Sequence, residues 1–200
     1  MEQSTISLPI GSATLLVQAE DAARIILDSI MKPQAPAIFT SKTVPCIGQH
    51  WEEQGGIYVG KARGIAIPDY HLVVASGDAG FVEDIAWGGA EEDEPDAQCQ
   101  WDGLANTRAL VKSGHSHPAA EWAAGLVICG FADWYLPSRR ESALCYAMAP
   151  EAFPQGGYHW TSTQYSPFYA WTQGFYGGYQ GYYLKGGELR ARAVRRVSSI

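Results

Sequence analysis

Residues 158–196 read YHWTSTQYSPFYAWTQGFYGGYQGYYLKGGELRARAVRR. Seven tyrosines, two tryptophans and two phenylalanines sit there among glycines and hydroxyl side chains. A core segment would favour Leu, Ile and Val. Tyrosine with serine and glycine is instead the chemistry of binding loops, because tyrosine offers a large amphipathic area with few torsions to freeze. The stretch therefore reads as strands and turns that end in a recognition surface.

Strand parity sorts its residues. If the run from Tyr169 is extended, Tyr169, Trp171, Gln173 and Phe175 share one side, and Ala170, Thr172, Gly174 and Tyr176 share the other. Trp171 and Phe175 suit burial, as does Trp160, which turns Thr172 and Tyr176 to solvent. Past Gly177-Gly178 the backbone is permissive, and Tyr179, Tyr182 and Tyr183 are expected on a loop. The candidate receptor-binding face is thus Phe168, Tyr169, Thr172, Tyr176, Tyr179, Tyr182 and Tyr183, clustered on one surface. In the closing run, period two puts Arg190, Arg192 and Arg196 on one face and Ala191 and Ala193 opposite. Small alanines suit close packing, and the arginines are expected to pair with Glu188 or with carboxylates of neighbouring elements.

Outside this stretch, 200 residues with a 46% hydrophobic and 12% aromatic share suffice for one domain with a core, plus an appendage. The net charge of −7 disfavours nonspecific grip on nucleic acid or an anionic membrane. No run approaches the roughly 20 apolar residues of a membrane span. Met1-Glu2-Gln3-Ser4 shows no basic region leading into an apolar run, so synthesis in the cytosol is expected. Cys46, Cys99, Cys129 and Cys145 form no CxxC pair and are expected to be free, mostly buried thiols.

Residues 1–44 differ in texture from 45–200. Ile6 to Val17 is mildly apolar and suits an extended segment. Ala19 to Met31 carries Ala22, Ile25, Ile26 and Ile30 on one helical stripe, ended by Pro33 and Pro36. One short helix cannot bury a core, so residues 1–44 are expected to mediate assembly, and residues 45–200 to form the receptor-binding domain. Ile57–Gly60 and Tyr70–Ala75 read as strands, and Gly103–Ser113, Pro118–Val127 and Ser138–Ala147 as helices. The last begins with Ser138 three residues before Glu141, a capping box. Helices set amid antiparallel strands predict an α+β fold.

Three ordered motifs resemble the Lcl C-terminal-like domain, a C-type-lectin-fold family common in bacteriophage tail-fibre proteins. They are Trp134-Tyr135-Leu136-Pro137-Ser138-Arg139-Arg140-Glu141, Trp160-Thr161-Ser162-Thr163 and the terminal Arg-Ala-Arg-Ala-Val-Arg-Arg. Gln54 to Tyr58, Pro68 to Leu72 and Trp101 to Thr107 resemble its phage-borne branch, so the likeness spans roughly residues 45–197. The resemblance implies a C-type-lectin-like fold whose late, loop-rich segment displays a ligand-binding face. It implies a tail-fibre adhesin of the virion, made in the bacterial cytoplasm. Its partners would be a host cell-surface receptor (protein or glycan), other tail proteins and further copies of itself, a trimer being favoured. Phe168 to Gly187 also resembles the hypervariable segment of diversity-generating retroelement proteins.

Two other classes stand beside the adhesin. One is a structural tail protein without receptor binding, and the other a glycan-acting enzyme on the same fold. For catalysis the candidates are His71, His115, His117, His159, Cys145, Ser138 and Asp69, but no GxSxG, HExxH or phosphate loop brings them together. No enzymatic activity, cofactor or metal is therefore expected. His115-Ser116-His117 reads as a helix cap rather than a metal pair, and Glu91 to Asp96 as a solvated acidic loop rather than a calcium site. The Glu-Pro-Asn motif of calcium-dependent sugar-binding C-type lectins is absent.

Overall fold

The computed structural model describes residues 5–10, 13–18 and 44–198. The chain divides into two compact units, Met1–Thr43 and Val44–Ile200. In the first, β1 (Thr5–Ile10) and β2 (Ala13–Gln18) pair as an antiparallel hairpin, with Ile6 opposite Val17. The helix expected over 19–31, and the assembly role resting on it, lie outside the described residues.

The second unit is α+β. Its strands are β3 (His50–Trp51), β4 (Gly56–Ala62), β5 (Tyr70–Ala75) and β6 (Phe81–Ala86), then β7 (Tyr158–Gln164), β8 (Tyr169–Gly174), β9 (Gln180–Leu184), β10 (Glu188–Arg192) and β11 (Val194–Ser198). Between β6 and β7 lie α1 (Gly103–Lys112), α2 (Pro118–Ala124) and α3 (Arg139–Met148). One sheet has the order β6-β10-β7-β8-β9 and the other β11-β5-β4-β3. Pairing is antiparallel except between β10 and β7.

The arginine run is not one strand with a single parity. It leaves the first sheet as β10 and enters the second as β11, with Ala193 at the crossing. There Ala193 N–H donates to Gly80 and its carbonyl accepts from Ala75. Ala191 and Ala193 are buried as expected, but so are Arg192 and Arg195. Arg192 donates to the Ala75 carbonyl at 2.7 Å, Arg195 pairs with Asp133, Arg190 with Glu83 and Arg196 with Asp102. Each partner is outside the run, so Glu188 plays no part.

Three tryptophans with no meaningful exposure, Trp87, Trp134 and Trp160, centre the core. Each indole N–H donates to a carbonyl, of Thr161, Phe131 and Ile85 respectively. That satisfaction is what lets so large a polar-tipped ring be buried. The capping box forms as expected: Ser138 Oγ accepts from Glu141 N–H, and Glu141 Oε2 accepts from Ser138 N–H at 2.8 Å. The same carboxylate takes Gly103 N–H on Oε2 and the Tyr70 and Tyr135 hydroxyls on Oε1, at 3.0, 2.6 and 2.8 Å. A Cβ at Gly103 would lie 2.4 Å from Oε2, so only glycine allows that approach. Burial, followed by the Glu141 charge, pushes the Tyr70 phenol far above its ordinary value.

The cysteines are free, but only Cys145 is buried; Cys46, Cys99 and Cys129 are exposed. These three fall in turns and loops rather than in elements that face the core.

His159 is sealed among Phe81, Phe153 and Phe175, and neither ring nitrogen has a hydrogen-bond partner among the described residues. Burial, then the charges of Arg190 and Arg192, lower its pKa from 6.5 to about 3. The neutral imidazole stays in the fold while the unfolded chain takes up a proton near pH 6.5. Its contribution is complete above that pH and is lost as pH falls toward 3. Unfolding free energy should drop by about 1 kcal/mol per unit below pH 6. His159→Phe should flatten that slope in urea titrations between pH 6.5 and 4.5, above the range where Glu94, held at about 2, begins to contribute. An unchanged slope would remove His159 as its source.

Candidate functional site

The aromatic segment folds as the hairpin β8–β9 at the edge of the five-stranded sheet. Trp171 pairs with Tyr182, Ala170 with Tyr183 and Thr172 with Gly181. Tyr182 and Tyr183 therefore lie on a regular edge strand, not a loop, and must point to opposite sides of the sheet. The expected single surface is in fact two.

On one side, Tyr165 stacks parallel on Tyr182 with centroids 4.3 Å apart. Trp171 meets Tyr165 edge-on at 5.1 Å, and Tyr169 meets Tyr182 at 5.3 Å. The Arg139 guanidinium lies 3.5 Å over the Trp171 ring. Its Nε donates to Gln180 Oε1 at 3.0 Å, and Gln180 Nε2 donates back to the Arg139 carbonyl at 2.8 Å. Helix α3, fixed by its capping box, thus sets a cation on an aromatic ladder whose outer rings, Tyr165 and Tyr182, are exposed.

On the other side, Tyr179 stands against Tyr158 at 6.5 Å, and Tyr183 against buried Trp160 at 6.3 Å. Tyr176 caps the turn between the strands and is 85% exposed. With Tyr146, Phe153 and Phe175 it lines an open groove of about 690 Å³. Gly178 closes this turn at φ +76°, and a Cβ there would strike the Tyr146 ring at 2.4 Å. At the far end Phe168 is exposed, and its carbonyl takes the Lys185 N–H.

Two placements depart from the parity reading. Thr172 is buried, because the register sets it opposite Trp160 on the side that holds Ala170 in the core. Trp171 is only half-buried, covered by Tyr165, Tyr182 and Arg139 rather than by the core. The core side of β8 is filled by small residues, so ring size was a misleading guide to burial. Tyr165, Trp171, Arg139 and Tyr158 belong to these surfaces but were not among the expected residues. The signal that could have found them is the adjacent pair Tyr182-Tyr183, which any strand must split between faces.

Lys185 anchors the end of the hairpin. Its ammonium is buried and donates to the Glu92 carbonyl and Gln164 Oε1, both at 2.7 Å, and lies 4.8 Å from the Trp87 ring centroid. Burial lowers its pKa to about 8 against the opposing pull of Glu94, Asp93 and Glu92. The acidic loop is mostly exposed, but Glu94 turns inward: Oε1 takes Ser113 Oγ at 2.6 Å and faces His115 and His117 at 3.0 Å. His117 occupies the N-cap position of α2 without a side-chain cap bond; its backbone N–H is taken by Glu121. One carboxylate oxygen gathers the serine and both imidazoles here, whereas a catalytic triad needs the imidazole between hydroxyl and acid. The remaining nucleophile and base candidates are apart: His71 bonds Tyr58, Ser138 caps α3, and burial raises the Cys145 thiol well above its ordinary value. Among the described residues no three His, Cys, Asp or Glu side chains are grouped to hold a metal.

The family model described as the Lcl C-terminal domain matches residues 81–195, more than half of the chain. The match holds β6 to β10, with the capping box and the aromatic hairpin, and stops short of the motifs at 54–58 and 68–72. No curated protein matches the chain.

Proposed function

The chain belongs to the Lcl C-terminal domain family, and from that premise we propose a phage tail-fibre-type adhesin of C-type-lectin-like build that binds a host-surface receptor through hairpin β8–β9. The observation that carries this reading is the ladder of Tyr165, Tyr182, Tyr169 and Trp171 beside the Arg139 guanidinium, with its outer rings Tyr165 and Tyr182 exposed. Aromatic rings with an arginine are what binding hot spots are made of, and the stacking here fixes their rotamers before any partner arrives. The protein acts as a binder, not an enzyme, on the tail of a virion assembled in bacterial cytoplasm.

Tyr182→Ala and Trp171→Ala should each weaken attachment to fractionated host envelope by about 2 kcal/mol or more. Thr172→Ser, on the buried side, should leave attachment unchanged. Retention of full attachment by the folded Trp171→Ala, Tyr182→Ala double variant would overturn the reading.

Phe168 to Gly187 is, in this proposal, the segment that varies between related adhesins. Deep sequencing of one lineage should find substitutions at Tyr169, Tyr176, Tyr179, Tyr182 and Tyr183. Ala170 and Thr172, which face the core, should stay fixed. Uniform substitution along β8 would exclude a retroelement-type variable segment.

A further inference from the structure

We propose that strand β9 takes up an extended segment of a protein receptor as a further strand of its sheet. The inference rests on the adhesin reading above and deepens it, by naming a polypeptide rather than a glycan as the receptor.

Among the described residues, the two sheets of the second unit end in four strands: β6 and β9 in one, β11 and β3 in the other. An edge invites pairing with another chain, and shortness, charge or cover is what prevents it. Strand β3 is two residues long, and β6 bears exposed Glu83 and Asp84. Strand β11 carries Arg195 and Arg196 and is covered at Val194 by two backbone bonds to Tyr135. Strand β9, Gln180-Gly181-Tyr182-Tyr183-Leu184, has none of these guards: it runs for five residues with no charge and no proline. Its last three side chains are each about half exposed.

The register decides which backbone groups this edge offers. Lys185 N–H donates to the Phe168 carbonyl and Gly174 N–H to the Tyr179 carbonyl, and antiparallel bonding alternates along a strand. Tyr179, Gly181, Tyr183 and Lys185 therefore turn their peptide groups to β8, and Gln180, Tyr182 and Leu184 turn theirs outward. Of these outward groups only the Leu184 carbonyl is taken among the described residues, by Gly187 N–H at 2.9 Å. What is left open is a row of donors and acceptors repeating about every 6.8 Å, the spacing of another extended backbone.

The side chains beside this row complete the fit. Tyr182 belongs to the ladder on one side of the sheet, and Tyr183 stands against Trp160 on the other. An added strand sets its alternate side chains on these two aromatic shelves, so main-chain bonds supply affinity and side chains choose the sequence. A segment whose side chains vary between lineages keeps such a backbone grip.

Capture of the full chain by detergent-solubilised host envelope, with amide hydrogen exchange on the complex, tests this. The Tyr182 and Leu184 amides should exchange at least about tenfold more slowly when bound, since both gain an acceptor. Leu184→Pro should weaken capture about tenfold more than Leu184→Ala, because both lose the side chain but only proline loses the outward N–H. Proline is tolerated where the N–H faces away from the sheet, and if that variant does not fold, the exchange measurement decides alone. Envelope shaved with protease should lose capture, and periodate-oxidised envelope should keep it. Unprotected Tyr182 and Leu184 amides, equal capture of the two folded Leu184 variants, or loss to periodate alone would overturn strand addition and leave the adhesin reading standing. A full-chain dimer that Leu184→Pro dissociates would give the edge to a second copy and overturn it too. If no envelope fraction captures the unmodified chain, the adhesin reading itself falls, and this inference with it.

Discussion

Glu141→Ala should lower the unfolding free energy by about 4 kcal/mol, among the largest losses open to a single carboxylate in this chain. Four donors end on Glu141: two hydroxyls, from Tyr70 and Tyr135, and two N–H groups, from Gly103 and Ser138. The side chain is 2% exposed, so water cannot replace what alanine removes. Each orphaned buried donor costs about 1–3 kcal/mol, and Arg196, 3.8 Å away, loses a countercharge. Glu141→Gln should cost less. Its amide still accepts at one end, and the tyrosine hydroxyls can rotate to receive its N–H groups. Urea unfolding of both variants checks this, and a loss below about 1 kcal/mol for alanine would show that the network is not coupled to folding.

Trp160→Ala should cost about 4 kcal/mol, while Trp171→Ala costs about 1 kcal/mol. The two rings are eleven residues apart in sequence, on adjacent strands, and differ in what surrounds them. Trp160 has 0% exposure, and its N–H satisfies the Ile85 carbonyl at 2.8 Å, so truncation leaves both a cavity and an unpaired acceptor. Trp171 is covered by side chains at the surface, Tyr165, Tyr182 and Arg139, rather than by the core, so truncation opens no sealed cavity. Trp160→Phe should fall between, filling most of the space but leaving Ile85 without its donor. Chemical denaturation of the three variants decides the matter, and equal losses for Trp160→Ala and Trp171→Ala would contradict the two environments.

Local chemistry was legible wherever one short segment determines its own structure. Ser138 and Glu141 announce a capped helix, Pro118 opens α2 at its first turn, and Tyr70 to Ala75 is a strand by its β-branched run. The α+β class follows from such pieces. What escaped reading depends on distant partners. Arg190 to Arg196 looks like one strand until β6, β7 and β5 are seen to claim different parts of it. Thr172 and Trp171 exchange their expected roles because the core side of β8 is set by Trp160 across the sheet, which no parity within residues 169–176 reveals. Lys61 and Arg140 lie 79 positions apart and line one pocket only through tertiary packing.

The sheet crossing at Ala193 also has a kinetic consequence on the ribosome. Strand β6 joins its sheet only through β10, and β5 gains its outer neighbour only from β11. Nascent chains that stop before residue 188 hold β6 as a solitary strand and leave one side of β5 bare. Cooperative folding must therefore wait until residues 188–198 have cleared the exit tunnel, late for a domain whose first strand pairs were synthesised more than a hundred residues earlier. Until then those strands present unpaired N–H and C=O groups on which another chain can add, an exposure that ends only when one continuous stretch of backbone locks the two sheets.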